Sequence, residues 1–313
     1  MFLEIIFIAI GFGLLIKGAD FLVDGAGGIA KKFKIPEIII GLTIVSVGTS
    51  TPELFISVKS VLAGIEDFSI GNVLGSNITN LLLILGITAV ITPIYFKSDT
   101  KLIEIPMCLF FTILFVILCN AGNQISRLDS ILLLISFIFF IVYTIHIGRK
   151  NKEENIDQGE IIEKNILVNI AFIIIGIIGL KFGGDFVVNN AEKIALKFNI
   201  SEKIISLSII AIGTSLPELV TSVVSAVKKE ADLAVGNVIG SNIFNMLLVI
   251  GTTGIIKPIA YNPDYNVQMT ILLLATILIC FFPHLDKKDQ MTKSDGLMYI
   301  SMYAVYTFML FIS

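Results

Sequence analysis

Long apolar stretches recur along the chain, and short polar connectors separate them. A helix needs about 20 predominantly apolar residues to cross the hydrocarbon core of a bilayer. The pattern therefore predicts an all-α polytopic membrane protein with ten transmembrane helices. These predicted helices lie at residues 2–25, 36–63, 70–92, 102–120, 128–148, 165–190, 202–227, 234–256, 266–283 and 296–313.

The second and seventh stretches are longer than a membrane requires, and a polar hexapeptide interrupts each of them. Residues 48–53 read Gly-Thr-Ser-Thr-Pro-Glu, and residues 213–218 read Gly-Thr-Ser-Leu-Pro-Glu. Glycine and proline break helices, so we expect helices 2 and 7 each to consist of two half-helices. The closing glutamates, Glu53 and Glu218, cost about 3 kcal/mol each at bilayer depth on insertion scales. Something is therefore expected to compensate them.

The two hexapeptides belong to an internal repeat. Their glutamates are 165 positions apart (218 minus 53), and the same offset aligns residues 71–80 with residues 236–245, identical at eight of ten places. Because five predicted helices, an odd number, separate the starts of the copies, the second copy crosses the membrane in the opposite sense. Such inverted five-helix repeats place substrate sites at the membrane midplane of many transporters. A duplication kept only for packing would not explain why the identities concentrate on polar residues.

The repeat divides the chain into a first transmembrane half at residues 1–148, a linker at 149–164 and a second half at 165–313. If the N-terminus is outside the cell, 14 of the 22 lysines and arginines fall in cytoplasmic loops and six in outer loops. The positive-inside rule then predicts a plasma-membrane protein with a cytoplasmic linker and both termini outside. The loop containing Lys193, Lys197 and Lys203 runs against this bias.

Composition excludes several classes of function. With 55% hydrophobic and 15% charged residues and a mean hydropathy of +0.92, the chain carries too much apolar surface for one soluble core. The three cysteines lie inside apolar runs and predict no disulfide framework. No phosphate-binding Gly-Lys-Ser/Thr motif is present, so we expect no use of ATP. Nothing in the sequence predicts nucleic-acid binding, a cofactor or an enzymatic activity.

Two lysine–aspartate pairs lie inside the first and sixth stretches. Lys17 with Asp20 and Lys181 with Asp185 have the spacing of intrahelical ion pairs, and we interpret them as structural. The alternative for the two aspartates is an intramembrane hydrolase, although no second catalytic aspartate motif accompanies them.

The hexapeptides bring together oxygen atoms of several kinds. Two carboxylates held close in a low-dielectric site cannot both stay ionised unless a cation joins them. The absence of imidazole and thiolate points to a hard cation, and a flexible cage of oxygens suits Ca²⁺ or Na⁺ better than Mg²⁺. The alternative is structural, with hydroxyls capping half-helices and a protonated glutamate as hydrogen-bond donor. Where each helix breaks, backbone carbonyls are expected to lose their helical partners and become free acceptors. The candidates are the backbone carbonyls of Ser46, Thr49, Ala211 and Thr214, the hydroxyls of Thr49, Ser50, Thr214 and Ser215, and the carboxylates of Glu53 and Glu218.

The second repeated motif, Gly-Asn-Val-x-Gly-Ser-Asn-Ile-x-Asn, begins helices 3 and 8. Ser76 and Asn80 are four residues apart and share a helix face, as do Ser241 and Asn245. These neutral oxygens would complete a coordination shell without adding charge. The glycines are explained by close helix packing, and the remaining asparagines could satisfy backbone groups at the helix breaks.

Paired Gly-Thr-Ser-x-Pro-Glu hexapeptides, each followed by Gly-Ser-Asn-x-x-Asn, resemble the α-repeats of the calcium/cation antiporter superfamily, most closely its prokaryotic Na⁺/Ca²⁺ exchangers. The resemblance covers nearly the whole chain and implies ten helices around a central cluster of four cation sites. By this resemblance Glu53 and Glu218 would be the principal ligands of both ions. The other implied ligands are Thr49 and Thr214 for Ca²⁺, Ser50, Ser76, Ser215 and Ser241 for Na⁺, the carbonyls of Ser46 and Ala211, and Asn80 and Asn245 at the centre.

The resemblance implies secondary active exchange of Na⁺ for Ca²⁺ by alternating access, with helices 1 and 6 moving over a static core. Several relatives carry aspartate at the position of Asn245, so the neutral amide argues against a K⁺ requirement. An H⁺/Ca²⁺ antiporter of the same superfamily is the second reading, and a passive cation channel is the third. We expect a monomer in the lipid bilayer, with Ca²⁺ and Na⁺ as substrates.

Overall fold

The computed structural model describes residues 2–150, 165–198, 211–285 and 288–312, and nearly all of them are helical. The predicted linker and the first part of predicted helix 7 therefore lie mostly outside the described residues. The helices are α1 (Phe2–Phe33), α2 (Glu37–Thr49), α3 (Thr51–Leu62), α4 (Phe68–Ile91), α5 (Thr100–Asn120), α6 (Arg127–Lys150), α7 (Ile166–Lys197), α8 (Ala211–Thr214), α9 (Leu216–Val227), α10 (Ala231–Ile256), α11 (Asn266–Leu285) and α12 (Lys293–Ile312).

Seven of the helices in the described ranges are long and apolar enough to cross a membrane, and the bent pair α2–α3 makes an eighth such span. This confirms an all-α polytopic membrane protein. The helix α9 is shorter, and α12 occupies the place of predicted helix 10. The count of ten crossings stays a prediction.

Four two-residue strands show which connectors share a face of the molecule. The strands β1 (Ile94–Tyr95) and β4 (Gln290–Met291) pair antiparallel, and so do β2 (Gln124–Ile125) and β3 (Ile259–Ala260). The first and third strands are related by the repeat offset, so the two pairings are exchanged by the internal symmetry. Alternating membrane crossings require this sorting of connectors onto two opposite faces, which we call the β1–β4 face and the β2–β3 face.

Ion pairs between connectors agree with this sorting. Lys97, which follows β1, lies 2.5 Å from Asp232 at the start of α10, so the connector before α10 belongs to the β1–β4 face. Lys257 pairs with Glu66 on the β2–β3 face. The predicted topology makes the β1–β4 face cytoplasmic.

Both predicted helix breaks occur at the serine of the hexapeptide. Ser50, between α2 and α3, has φ −88° and ψ 4°, and Ser215, between α8 and α9, has φ −91° and ψ 6°. The axes of α2 and α3 differ by 44°. Pro52 and Pro217 fall in the first turn of the second half-helix, where a missing N–H removes no hydrogen bond. The prediction of broken helices is therefore confirmed.

Helices α1 and α7 pack backbone against backbone. A Cβ atom added to Gly18 would lie 2.7 Å from the backbone nitrogen of Leu180, and one added to Gly176 would lie 2.7 Å from that of Leu22. Only glycine permits such an approach, which dispersion forces then stabilise over the length of the interface. The two helices therefore form a tight pair beside the other helices.

Each of these two helices contains one of the predicted intrahelical ion pairs. Lys17 lies 3.6 Å from Asp20, and Lys181 lies 3.5 Å from Asp185, so the predicted intrahelical pairs are present. All four side chains are at least one-third exposed, and neither pair includes Glu53 or Glu218. This geometry gives no support to an intramembrane hydrolase.

A further ion pair joins α1 to the connector that follows α9. The ammonium group of Lys228 lies 2.5 Å from Asp20 and 2.6 Å from Asp24. The positions related by the repeat to Asp24 and Lys228 are Asn189 and Ala63, so the second copy lacks the charges for an equivalent contact.

Replacing Gly18 with alanine should destabilise the protein by about 1–3 kcal/mol, because the added methyl group overpacks the α1–α7 interface. Gly13→Ala on the same helix is the matched control, since a Cβ at that position meets nothing within 4 Å. The measurement is the midpoint temperature of unfolding of the detergent-solubilised protein. Equal midpoints for the two variants would contradict backbone-to-backbone packing of these helices.

Candidate functional site

The two helix breaks face one another across the centre of the molecule. Glu53 and Glu218 lie in the first turns of α3 and α9, and both are fully buried. The hydroxyl of Ser50, at the first break, donates to Oε1 of Glu218, at the second, over 2.8 Å. The carboxylates of the two glutamates also interact electrostatically. Residues 165 positions apart are thus brought into one site, as the inverted repeat predicts.

Most of the carboxylate oxygen atoms in this site have no hydrogen-bond donor. Both oxygens of Glu53 and Oε2 of Glu218 are buried without a partner among the described residues. Burying an ionised carboxylate without compensation is prohibitively costly, so each carboxylate must either be protonated or be joined by a cation. The first-turn position helps only in part, because the helix N-terminus contributes about half a charge.

Neutral oxygen atoms without partners accompany the carboxylates. Each lies on a fully or almost fully buried residue, and none has a hydrogen-bond partner in the described part of the chain. These atoms are Oγ of Ser76, Oγ of Ser215, Oδ1 of Asn80 and Oδ1 of Asn245.

Four asparagines form a reciprocal network between α4 and α10. Nδ2 of Asn77 donates to the backbone carbonyl of Asn242, and Nδ2 of Asn242 donates to that of Asn77, both over 3.2 Å. A backbone carbonyl can only accept, so these two bonds fix the orientation of both amides. Oδ1 of Asn77 then accepts from Nδ2 of Asn245 (3.1 Å), and Oδ1 of Asn242 accepts from Nδ2 of Asn80 (3.0 Å).

This network decides which atoms of Asn80 and Asn245 remain free. Their NH₂ groups are held by the partner asparagines, so their carbonyl oxygens are the atoms left without a protein partner. Both residues also lie in stretches wound as π-helix, Thr79–Leu85 and Asn245–Val249. Such stretches are frequent at functional sites.

A second network joins the first break to the second repeat. The hydroxyl of Thr49 donates to Oδ1 of Asn237 over 3.0 Å and lies 3.4 Å from the hydroxyl of Ser241. Nδ2 of Asn237 donates to the backbone carbonyl of Glu218 and to the hydroxyl of Ser222. An asparagine of the second motif thus satisfies a backbone group beside a helix break, as one interpretation of the sequence predicts.

One detail of the predicted site is wrong. The carbonyl of Ser46 does not lose its helical partner, because it accepts from the N–H of Ser50 over 2.9 Å; it also lies 3.3 Å from the hydroxyl oxygen of Thr49. The helix α2 ends one turn later than the sequence suggests. Ala211 and Thr214 bound the short helix α8 that leads into the second break. The ligand roles of all three residues stay predictions.

Sequence reasoning proposed that Asn77 and Asn242 could satisfy backbone groups at the helix breaks, but it did not predict that they orient Asn80 and Asn245, and it assigned no role to Ser222. The repeat marks Ser222, since Asn72 donates to Ser57 over 3.1 Å as Asn237 does to Ser222 over 3.0 Å. Among the residues that the structure describes, no three His, Cys, Asp or Glu side chains come together as a metal site. The cluster therefore consists of two carboxylates and neutral oxygens.

Comparison with known proteins agrees with the architecture. The family model described as sodium/calcium exchanger protein matches residues 3–146 and 168–312, which are nearly the whole chain. The inner membrane protein YrbG of Escherichia coli (strain K12) is 37% identical over 290 residues, covering 89% of each chain. The putative antiporter CaxA of Alkalimonas amylolytica is 36% identical over 323 residues, covering all of both chains.

A solved structure extends the likeness to three dimensions. The sodium–calcium exchanger NCX_Mj, soaked with zero Na⁺ and Ca²⁺, superposes with a TM-score of 0.85 at 30% identity, covering 97% of each chain. With the family model matching both halves, this makes the chain a membrane transporter rather than an enzyme. The chain belongs to the family of sodium/calcium exchanger proteins.

Proposed function

We propose that the chain is a secondary active antiporter that exchanges Na⁺ for Ca²⁺, with both ions competing for the oxygens around Glu53 and Glu218. The observation that supports this most strongly is the buried cluster at the two facing breaks. It has three carboxylate oxygens without a donor, surrounded by amide and hydroxyl oxygens in the same condition. Such an all-oxygen set matches the preference of hard cations.

Charge balance explains why exchange rather than leak would result. With both glutamates ionised, the site carries about two negative charges, which one Ca²⁺ or two Na⁺ can neutralise. Because the ions need the same oxygens, binding of one species excludes the other. The empty site would keep its charge in a low-dielectric interior, where an uncompensated charge is costly. A carrier built in this way crosses between its two states mainly when loaded.

The neutral hydroxyls at the edge of the cluster would set the electrical behaviour. If a third Na⁺ binds at Ser50, Ser76, Ser215 or Ser241, the sodium-loaded site carries one net positive charge. Moving that charge across the membrane is worth roughly 2.3 kcal/mol per 100 mV, so exchange would depend on voltage. Asn245 adds no charge to this balance, which supports transport without K⁺.

The pair α1–α7 is placed to couple movement to ion binding. A Cβ added to Gly48, the first residue of the first hexapeptide, would lie 2.7 Å from Cδ1 of Ile177 on α7. The glycine-packed pair thus touches the half-helix end that carries Thr49. Sliding of this pair along the broken helices would alter access to the carboxylates without unfolding either element.

Glu53→Gln and Glu218→Gln should each reduce Na⁺-dependent ⁴⁵Ca²⁺ uptake by proteoliposomes to the background of protein-free vesicles. Each variant keeps the side-chain volume but removes half of the charge that holds the cations. Glu104→Gln is the matched control, because Glu104 is also a buried glutamate but lies on α5, outside the cluster. Full uptake by either hexapeptide variant would refute the proposed site.

Imposing Na⁺ and pH gradients separately tests which ion drives Ca²⁺ movement. We expect ⁴⁵Ca²⁺ uptake to follow an outward Na⁺ gradient at constant pH and to ignore a pH gradient without Na⁺. Uptake that follows pH alone would mean H⁺/Ca²⁺ exchange. Flux that needs no counter-ion would mean a channel.

Asn77→Ala should weaken Ca²⁺ binding although Asn77 is not itself a proposed ligand. The variant removes the acceptor that holds Nδ2 of Asn245, which frees the amide to turn its NH₂ group toward the cluster. The loss of about one hydrogen bond predicts a half-saturating Ca²⁺ concentration raised about tenfold, with a smaller change in maximal rate. Asn190→Ala is the control, since Asn190 is buried and, among the residues described, its side chain donates to the carbonyl of Phe186 on its own helix. Equal half-saturating Ca²⁺ concentrations for both variants would contradict the role of Asn77 in orienting Asn245.

A further inference from the structure

Helix α9 carries a line of polar side chains that leads away from Glu218. Thr221 and Ser225 follow Glu218 at spacings of three and seven residues, which places all three on one face of the helix. At 1.5 Å per residue the line extends about 10 Å from the carboxylate toward the β1–β4 face. All three side chains are fully buried.

The two hydroxyls of this line make no hydrogen bond to the described part of the protein. Oγ1 of Thr221 and Oγ of Ser225 have no hydrogen-bond partner within the described ranges. Other buried threonines in the helices donate to the carbonyl one turn earlier, as Thr88, Thr112 and Thr276 do at 2.7–2.8 Å. Thr221 and Ser225 do not make this bond in the described structure, so their oxygens are available to a ligand.

Neighbouring positions of α9 define what surrounds the line. Ser222 accepts a hydrogen bond from α10, and Val220 and Val224 pack against the apolar cluster that includes α1. Thr221 and Ser225 lie between these two sides, on the same strip of surface as Glu218. The strip is therefore a line of buried polar groups bordered on one side by apolar side chains.

The strip ends at a half-buried acid, Glu230. The N–H of Glu230 bonds the carbonyl of Ser225 over 2.9 Å. The carboxylate of Glu230 packs on α1 at Gly27, where an added Cβ would lie 3.2 Å from Oε1, and Oε2 has no partner in the described chain. Burial, reinforced by the nearby carboxylate of Glu37, raises the pKa of Glu230 to about 7. The other charged groups that act on it are Lys31, Lys228 and Asp24.

The first repeat lacks this line. The positions equivalent to Thr221 and Glu230 are Ile56 and Ile65, and the equivalent of Ser225 is Ser60. The hydroxyl of Ser60 donates to the carbonyl of Ile56 over 3.0 Å, so it is satisfied by its own helix. In the described part of the chain, the half-helix of Glu218 therefore carries unpartnered hydroxyls toward the β1–β4 face. The half-helix of Glu53 carries no equivalent line toward the β2–β3 face.

We propose that Thr221, Ser225 and Glu230 form a transient Na⁺-binding site between the central cluster and the β1–β4 face. Two hydroxyls and one carboxylate offer little charge, which suits a monovalent cation that retains part of its hydration. Ca²⁺ takes six to eight oxygens and has no such set here. Na⁺ moving to or from Glu218 would exchange its water molecules for these oxygens in steps. The proposal rests on the proposed Na⁺/Ca²⁺ exchange.

Right-side-out and inside-out membrane vesicles, prepared separately, test this site. Each is loaded with ⁴⁵Ca²⁺ and diluted into graded concentrations of Na⁺, and the release of ⁴⁵Ca²⁺ is measured. The double variant Thr221→Val, Ser225→Ala should raise the half-saturating Na⁺ concentration about tenfold when Na⁺ is added at the β1–β4 face. Addition at the β2–β3 face should give the value of the unaltered protein. Thr112→Val, a buried threonine bonded within α5, is the matched control and should change neither value.

Thr221→Ser keeps the hydroxyl and should restore the Na⁺ dependence that Thr221→Val loses, which separates the proposal from a packing effect. If the double variant elutes as aggregate, the single variants Thr221→Val and Ser225→Ala are compared instead. Equal Na⁺ dependence on both faces, or no change, would overturn the transient site while leaving exchange intact. Failure of the unaltered protein to release ⁴⁵Ca²⁺ in Na⁺ would instead overturn the proposed function.

Discussion

The structure depends on how two buried carboxylates are compensated, because the fold places them together with one hydrogen-bond donor for four oxygen atoms among the residues described. Glu53 and Glu218 each begin a half-helix, and each half-helix begins where a serine leaves helical geometry. An apolar interior tolerates this only if the carboxylates are protonated or bind cations from outside the protein, because no lysine or arginine is hydrogen-bonded or ion-paired to either glutamate among the residues described. The half-helices, the asparagines and the hydroxyls around them make sense as the means of holding that charge.

The inverted repeat is what turns two similar segments into a single site. Asn77 and Asn242 exchange equivalent bonds, and the strand pairings β1–β4 and β2–β3 exchange equivalent partners. Symmetry is broken where it would otherwise be expected: Ser50 donates to Glu218, but Ser215 has no partner in the described chain. In the proposed alternating-access cycle, such a molecule would move between two arrangements that exchange the roles of its repeats.

Much of this could be predicted from the sequence, because membrane burial leaves few options for a polar residue. The hexapeptides revealed the broken helices, and the offset of 165 positions predicted that Glu53 and Glu218 meet. Side-chain networks were less accessible. The amide orientation of Asn77 depends on the carbonyl of Asn242 across an interface, and the helical bond retained by Ser46 depends on how far α2 continues. Neither is encoded by local pattern, since both depend on tertiary approach.

The ion pairs of Lys228 would affect the relative energies of the two arrangements in the proposed cycle. Its contacts with Asp20 and Asp24 tie α1 to the core at one end, and the neutral residues Asn189 and Ala63 stand at the mirrored positions. In an alternating-access cycle, moving α1 and α7 would therefore break these contacts and form no counterpart at the far end. In the proposed cycle, the unloaded carrier would therefore be weighted toward the arrangement described here, and its two directions of travel would start from unequal populations.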